Sequence, residues 1–277
     1  MVLFQSLGKI DKLLNGLSQL DVSGTEASLH FLDNSPGSGC RERVLAAELR
    51  VPVRFVDSPS GNIGFGAGHN LLAQSGGGPD FLLLLNPDTI PFYDVLQRLL
   101  AVALPDPTAA LVEAAQFPVE HQKAYDPVTG ETDWCCATCL LVRGETFRRL
   151  NGFDEALFLY CEDVDLSWRA WLSGLRCVYA PGARCVHVSQ EDDVGKDREV
   201  EVRHMEVGNL YLRAKYFGEE AVQEHLAFLR QRFEPALAAQ VVADFRQVAP
   251  RRPMRRRHPR VRLAGDHVNF GPTRWVP

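Results

Sequence analysis

The sequence predicts an α/β protein from three observations: short apolar runs that end in polar or acidic clusters, glycine-rich connections between them, and stretches with apolar residues at helical spacing. The plainest run is Phe81–Leu85, "FLLLL", which lies between a Gly-rich loop and Asn86-Pro87. This is the pattern of a strand buried on both faces in a parallel sheet. Residues 28–39, "SLHFLDNSPGSG", read as a strand that ends in Asp33-Asn34-Ser35 and enters a Gly/Pro/Ser turn. "MVLFQS" is the candidate first strand and is short. "KIDKLLNGLSQL" follows as a helix, with Ile10, Leu13, Leu14 and Leu17 at helical spacing. "YDVLQRLLAVAL" repeats that pattern, and "EAVQEHLAFLRQRFEPALAAQVVADF" is a carboxy-terminal helical region interrupted near Pro235.

A chain of 277 residues with 45% hydrophobic content is enough for one α/β domain and a helical extension. No apolar run reaches membrane-span length and no signal-peptide pattern opens the chain, so a soluble protein is expected, cytoplasmic or peripheral to a membrane. Seven scattered cysteines, an odd number, fit reduced thiols in a reducing compartment. Cys136 and Cys139 form a C-x-x-C without a second pair. In a strand that spacing sends the two side chains to opposite faces, so packing explains it better than zinc or redox use.

Charge is uneven. Nine of the 30 Lys and Arg lie in residues 246–277, where Asp266 is the one acid; the rest of the chain has 21 basic against 34 acidic residues. The cluster "RQVAPRRPMRRRHPRVR", with its prolines, does not read as a packed helix. Four readings stay open: a tail attracted to anionic lipid, a strap over the acidic body, a contact for a lipid-diphosphate acceptor, or a solvated segment. Nucleic acid is disfavoured, because aromatics do not interleave with the basic residues before Phe270 and Trp275.

Chemistry concentrates in three places. Glu162, Asp163 and Asp165 crowd a helix start in "NGFDEALFLYCEDVDLSWRAWLSGL". A helix N-terminus tolerates acids, so a well-capped surface helix and a functional cluster both remain open. Asp88 lies just beyond the carboxyl end of the 81–85 strand, where open α/β sheets bind ligands and a carboxylate can hold a metal. Asn-Pro-Asp-Thr also suits a plain turn and helix cap. Between these two strands "GNIGFGAGHN", residues 61–70, supplies glycines that allow positive φ and close approach of backbone to a ligand, or simply a flexible connection. It is neither a dinucleotide fingerprint nor a P-loop. His187 at a strand end reads as structural or as a metal ligand. Trp134 can pack in the core or stack on a sugar ring.

In this order and spacing, "DNSPGSG", "GNIGFGAGHN", "LLLNPDT", "LVRGETFRRLNGFDEALFLYCEDVDLSWRAWLSG" and "RCVHVS" resemble the family 2 glycosyltransferases, most closely the bacterial rhamnosyltransferase-like subgroup. The resemblance spans residues 1–217, including the helix "GNLYLRAKYFG". It implies a GT-A fold, a Rossmann-like mixed sheet flanked by helices, with a carboxy-terminal helical extension. The implied divisions are a nucleotide-sugar-binding and catalytic domain at 1–190, the extension at 191–245, and a basic, Pro-containing tail at 246–277.

The activity it implies is transfer of a sugar, with inversion, from a dTDP- or UDP-sugar to a glycan, lipid-linked or small-molecule acceptor. Rhamnose is suggested as donor sugar by the subgroup. Asp33 would bind the pyrimidine base, and Asn34, Asn62, Gly64, Gly66, Asn70, Asn86 and Asp88 would line the donor site. Asp88 stands last in an Asp-x-Asp-like motif whose first acid is replaced by Asn86; with His187 it would hold a divalent cation, Mn2+ or Mg2+. Asp163 would be the general base that takes the acceptor's proton, with Glu162 orienting the base or the acceptor and Trp134 on the acceptor side. Asp165 looks structural through Arg169, four residues on along the helix.

Two other classes are weighed. A sugar-1-phosphate nucleotidyltransferase should carry a Gly-rich basic loop after the first strand, and "FQSLGKIDK" is a poor substitute. A non-catalytic nucleotide- or glycan-binding module is kept in view by the short first strand, although Asp33, Asp88, Asp163 and His187 together argue against it. The polar stretch "QEDDVGKDREVEV", residues 190–202, is an expected lid over the donor.

Overall fold

A computed structural model provides the structure of the chain and describes residues 1–120, 124–188, 198–250, 254 and 257–263. Two sheets form the body. The first is parallel throughout, in the order β1 (Val2–Leu3), β2 (Leu29–Asp33), β3 (Val53–Asp57). The second is mixed and runs β4 (Phe81–Leu85), β7 (Cys139–Arg143), β6 (Ala109–Phe117), β8 (Arg176–His187), β5 (Thr89–Pro91). Within it β6 and β8 are parallel and the other pairings are antiparallel.

The period of two along the strands feeds a core on each face of the second sheet. Leu85, Cys139, Leu141, Val112 and Ala114 enter one core, while Leu84, Leu140, Val142, Ala110 and Leu111 enter the other. The first core is closed by α1 (Ile10–Gln19) and α4 (Val95–Ala103), through Ile10, Leu13, Leu14, Leu17, Val95, Leu99 and Leu100. The second is closed by α6 (Glu162–Leu172), through Val164, Leu166, Trp168 and Trp171. Shorter helices α2 (Cys40–Leu45), α3 (Phe65–Ser75) and α5 (Gly144–Arg149) complete the body.

The 81–85 strand is covered on both faces, as its apolar run requires, yet its pairing with β7 is antiparallel and not the parallel one expected. An unbroken apolar run reports burial on two faces, and burial does not encode the direction of a neighbouring strand. The first strand is short, and Gln5 just after it has a positive φ of 47°.

Three helices follow the body. In α7 (Arg198–Tyr216), Tyr211, Leu212 and Tyr216 join the α6 core while Leu210 joins a third core. That third core is completed by α8 (Glu219–Arg232) and α9 (Pro235–Val248), with Val222, Leu229, Ala238 and Val241. Pro235 is the first residue of α9, where its missing N–H costs nothing, and this explains the interruption expected there. Of the expected lid, residues 190–197 lie outside the described residues, and residues 198–202 form the start of α7.

Most of the basic tail also lies outside the described residues. Its described part straps the body: Arg260 meets Glu131 at 2.9 Å and Asp133 at 3.4 Å, and Arg262 meets Asp133 at 2.8 Å. His258 stacks on Trp171. All seven cysteines are buried and free of disulfides. Cys136 precedes β7, so the same-strand geometry expected for the C-x-x-C does not apply; burial of both thiols still makes packing their role. Among the described residues no helix is long and apolar enough to cross a membrane.

Candidate active site

Asp33 ends β2, and its carboxylate accepts hydrogen bonds from the Ser35 N–H at 2.8 Å, the Ser35 hydroxyl at 3.0 Å and the Ser38 hydroxyl at 3.1 Å. Three donors hold this group in one orientation at the end of the first sheet. Next to it Asn34 is buried; its amide donates to the Gly64 carbonyl at 3.1 Å and its oxygen accepts from the Ile63 N–H at 3.4 Å. Asn34 therefore ties the strand end to the glycine-rich connection.

That connection differs from expectation. Asn62 closes the turn by accepting from the Gly64 N–H at 3.0 Å. Gly64 has φ of 87°, and a Cβ there would lie 2.5 Å from the Phe158 carbonyl oxygen. A Cβ on Gly66 would lie 2.9 Å from Phe153 Cβ and 3.7 Å from Glu162 Cβ. Asn70 is buried and spends its side chain on the 153–155 turn: its amide donates to the Phe153 carbonyl at 2.9 Å and to Glu155 at 3.0 Å, and its oxygen accepts from the Phe153 N–H at 2.8 Å. The close approach that glycine permits here is used by the protein's own 153–162 backbone. Gly64, Gly66, Asn34 and Asn70 thus clamp the start of α6 beside the end of β2. Sequence cannot separate the two uses, because a missing Cβ admits backbone and ligand alike.

Glu162 and Asp163 open α6 after two left-handed residues, Tyr160 and Cys161, with φ of 69° and 68°. Such turns are strained in residues bearing a Cβ and need surrounding contacts to persist. One contact is the Phe65 N–H donating to the Phe158 carbonyl at 3.0 Å. Asp163 is half-buried; it accepts from the Ala137 N–H at 3.1 Å and the Val164 N–H at 2.8 Å. Glu162 is buried, and one of its oxygens has no hydrogen-bond partner among the described residues. Burial first, and the neighbouring Asp163 charge second, push its carboxyl well above the ordinary range, which favours the protonated form.

The metal-side residues also converge. β5 pairs with β8 so that Thr89 stands opposite His187, and His187 Nε2 lies 3.3 Å from Asp88. Asn86 donates its N–H to the Thr138 carbonyl at 3.0 Å, and the Thr89 hydroxyl donates to the same carbonyl at 3.3 Å. Ala137 therefore binds the candidate base while the next residue, Thr138, binds the Asn86–Thr89 turn. This backbone link sets Asp163 beside the Asp88 site, and no side-chain motif announces it. Trp134 lies on the same connection and packs partly into the α6 core.

Asn86 Oδ1 is buried without a hydrogen-bond partner among the described residues. The Asp88 carboxylate and the His187 imidazole, 3.3 Å apart, are oxygen and nitrogen donors of a kind that divalent cations take. The protein's share of ligands is small: among the described residues no three His, Cys, Asp or Glu side chains group closely enough to hold a metal alone.

Asp165, two residues beyond the base, is fully buried and receives Arg169 at 2.7 Å, Lys215 at 2.6 Å and the Tyr216 hydroxyl at 2.7 Å. Lys215 also reaches Asp154 at 2.6 Å, which accepts from the Tyr211 hydroxyl at 2.6 Å. Burial pushes the Asp154 carboxyl up, but the Lys215 and Tyr211 hydrogen bonds more than offset it and the net direction is down. Asp165 is structural, as its spacing to Arg169 suggests. The reach of Lys215 from α7, 50 residues away, carried no local signal.

The sheet arrangement and these convergent strand ends define a GT-A fold of the kind used by nucleotide-sugar glycosyltransferases. The chain is similar to the mannosyltransferase PcManGT of Pyrobaculum calidifontis, solved with GDP-Man and Mn2+, with a TM-score of 0.62 and 14% identity over 88% of this chain and 72% of that one. It is also similar to residues 1–349 of S. aureus TarS, solved with UDP-GlcNAc, with a TM-score of 0.59 and 15% identity over 90% and 80% of the two chains. No family model matches the chain.

At the sequence level the similarity is to rhamnosyltransferases. A segment of 61 residues is 44% identical to rhamnosyltransferase WbbL of Escherichia coli K12, covering 22% of this chain and 23% of that one. A segment of 67 residues is 41% identical to the N-acetylglucosaminyl-diphospho-decaprenol L-rhamnosyltransferase of Mycobacterium tuberculosis, covering 24% and 22%. The matches span under a quarter of these curated relatives. The motif resemblance to rhamnosyltransferases therefore stands by sequence over a segment, and the GT-A fold over most of the chain.

Proposed function

We propose that the protein is an inverting glycosyltransferase that moves a sugar from a dTDP- or UDP-sugar, dTDP-rhamnose foremost, to a hydroxyl of a glycan, lipid-linked or small-molecule acceptor. The observation that carries this reading is the Ala137–Thr138 link, which holds a half-exposed carboxylate, Asp163, next to the Asp88–His187 site. In this reading Asp33 meets the donor base and Asp163 accepts the proton of the attacking hydroxyl. Glu162, next to Asp163 at the helix start, would orient the base or the acceptor. Asp88, His187 and Asn86 would hold the divalent ion, whose chemistry is to stabilise charge on the departing diphosphate. The Mn2+ in PcManGT supports that assignment, and the decaprenol in the name of the mycobacterial relative supports a lipid-linked acceptor.

Residues 1–190 serve as the catalytic unit, 191–245 as the helical extension and 246–277 as the tail. A cytoplasmic location, free or at the inner face of a membrane, fits the buried free thiols. The two-residue first strand favours a second reading, a binding module of the same fold without turnover.

Thermal stabilisation by UDP, dTDP and GDP, each with and without Mn2+ or Mg2+, tests the donor site, because a ligand of the native state raises its stability. A metal-dependent shift with one pyrimidine diphosphate is expected, followed by transfer of labelled sugar from the matching donor. Binding without transfer to any acceptor class would favour the binding module. No shift with any nucleotide would overturn both.

A further inference from the structure

Lys9 has no place in the site described so far. It precedes α1, and its Nζ lies 3.7 Å from Asp88 Oδ2, with side-chain exposures of 24% and 14%. Its position follows from the packing of α1. A Cβ on Gly16 would lie 2.8 Å from Pro91 Cδ, so α1 rests directly on β5 at this point. Lys9 is seven residues, two turns, ahead of Gly16 and therefore on the same helix face, and Asp88 immediately precedes β5. The contact that seats α1 on β5 thus brings an ammonium to the Asp88 carboxylate. His187 reaches the other oxygen of the same carboxylate. The helix dipole adds positive potential at this end of α1.

Two residues before Asp88 the side chain is the uncharged amide of Asn86, so of these two positions Asp88 alone carries charge. A site with one carboxylate and a built-in ammonium has less need of a divalent ion to attract a diphosphate than a site with two carboxylates. We propose that Lys9 is a donor-diphosphate-binding residue: its ammonium holds Asp88 in the free protein and contacts a phosphate oxygen when the donor is bound. Lys9 then supplies part of the leaving-group stabilisation by itself and competes with a divalent cation for Asp88. This assignment rests on the transferase reading of the site.

The test uses the full chain, with UDP and dTDP as probes in calorimetric titrations in the presence of EDTA, and Mn2+ alone followed by its electron paramagnetic resonance signal. Lys9→Met is expected to weaken nucleotide diphosphate binding in EDTA by roughly tenfold or more, the loss of one charge-assisted hydrogen bond. The same variant is expected to bind Mn2+ alone a few-fold more tightly, since a competing cation has gone. A merely structural lysine does not move these two readouts in opposite directions. Lys9→Arg keeps the charge and should retain metal-free nucleotide binding, while Lys12→Met, one turn on, removes equal charge and should leave both affinities unchanged. Unaltered nucleotide and Mn2+ affinities in Lys9→Met, with wild-type protein that binds nucleotide, would overturn the inference alone. Wild-type protein that binds no nucleotide diphosphate under any condition would overturn the reading of the site and this inference with it.

Discussion

The two faces of α6 put the same side chain to opposite uses. On one face Asp163 is half-buried and accepts hydrogen bonds from the backbone N–H groups of Ala137 and Val164. On the other, Asp165 is fully buried and neutralised by Arg169, Lys215 and Tyr216. Both acids lie in the helix first turn, and the local difference between them is Arg169, four residues beyond Asp165. Distant segments widen the difference: the connection before β7 brings the Ala137 amide to Asp163, whereas α7 brings the Lys215 ammonium and the Tyr216 hydroxyl to Asp165. Backbone N–H groups fix an anion without consuming its charge, which suits a base; a buried cation consumes it, which suits a girder.

The largest effect that could break this contrast is on transfer. Asp163→Asn should lower labelled-sugar transfer by about a thousandfold, within the range general base catalysis supplies, while nucleotide binding persists. Full activity in that variant would reassign the base. The mirror-image change lies on the other face. Lys215→Met removes the cation shared by partly buried Asp154 and fully buried Asp165, which keeps Arg169 and the Tyr216 hydroxyl, and should cost about 3 kcal/mol in urea unfolding. A loss below about 1 kcal/mol would mean that the network is solvated and that the contrast between the two faces is weaker than drawn.

A smaller effect sharpens the cleft side. The Glu162 carboxyl lies well above its ordinary value of 4.5 because of burial and the Asp163 charge. The folded protein therefore holds this proton where the unfolded chain releases it. The stability this provides is complete below the ordinary carboxylate value and is lost as pH rises through the raised one. The melting temperature of Glu162→Gln relative to wild type should accordingly climb as pH rises above the ordinary carboxylate value of 4.5. A pH-independent difference would show that Glu162 is ionised in the fold. The smallest effect concerns the tail. Arg260→Ala with Arg262→Ala should cost about 1 kcal/mol or less, and the loss should fade as added salt screens these partly exposed pairs. A salt-independent loss of several kcal/mol would make the strap part of the core.

Much of this architecture is legible in the chain. The runs at 29–33 and 81–85 are strands, the apolar periodicity at 10–17 is a helix, and Pro235 divides the carboxy-terminal helices. The acidic turn at 162–165 is a helix start, and Asp88 meets His187. The antiparallel direction of β4, the structural use of Gly64, Gly66, Asn34 and Asn70, the Ala137–Thr138 bridge and the roles of Lys9 and Lys215 are not legible.

The sequence by itself determined where elements begin and end and which residues carry charge at the strand ends. These follow from periodicity and turn chemistry, both of which act within a few residues. Only the tertiary structure decided that Asp163 stays accessible while Asp165 is quenched, and that a lysine reaches Asp88. Those outcomes depend on contacts across 26, 50 and 79 residues of chain, set by how α7, the β7 connection and α1 pack. Burial and charge pairing are properties of neighbours in space, and a linear pattern names the groups without naming their neighbours.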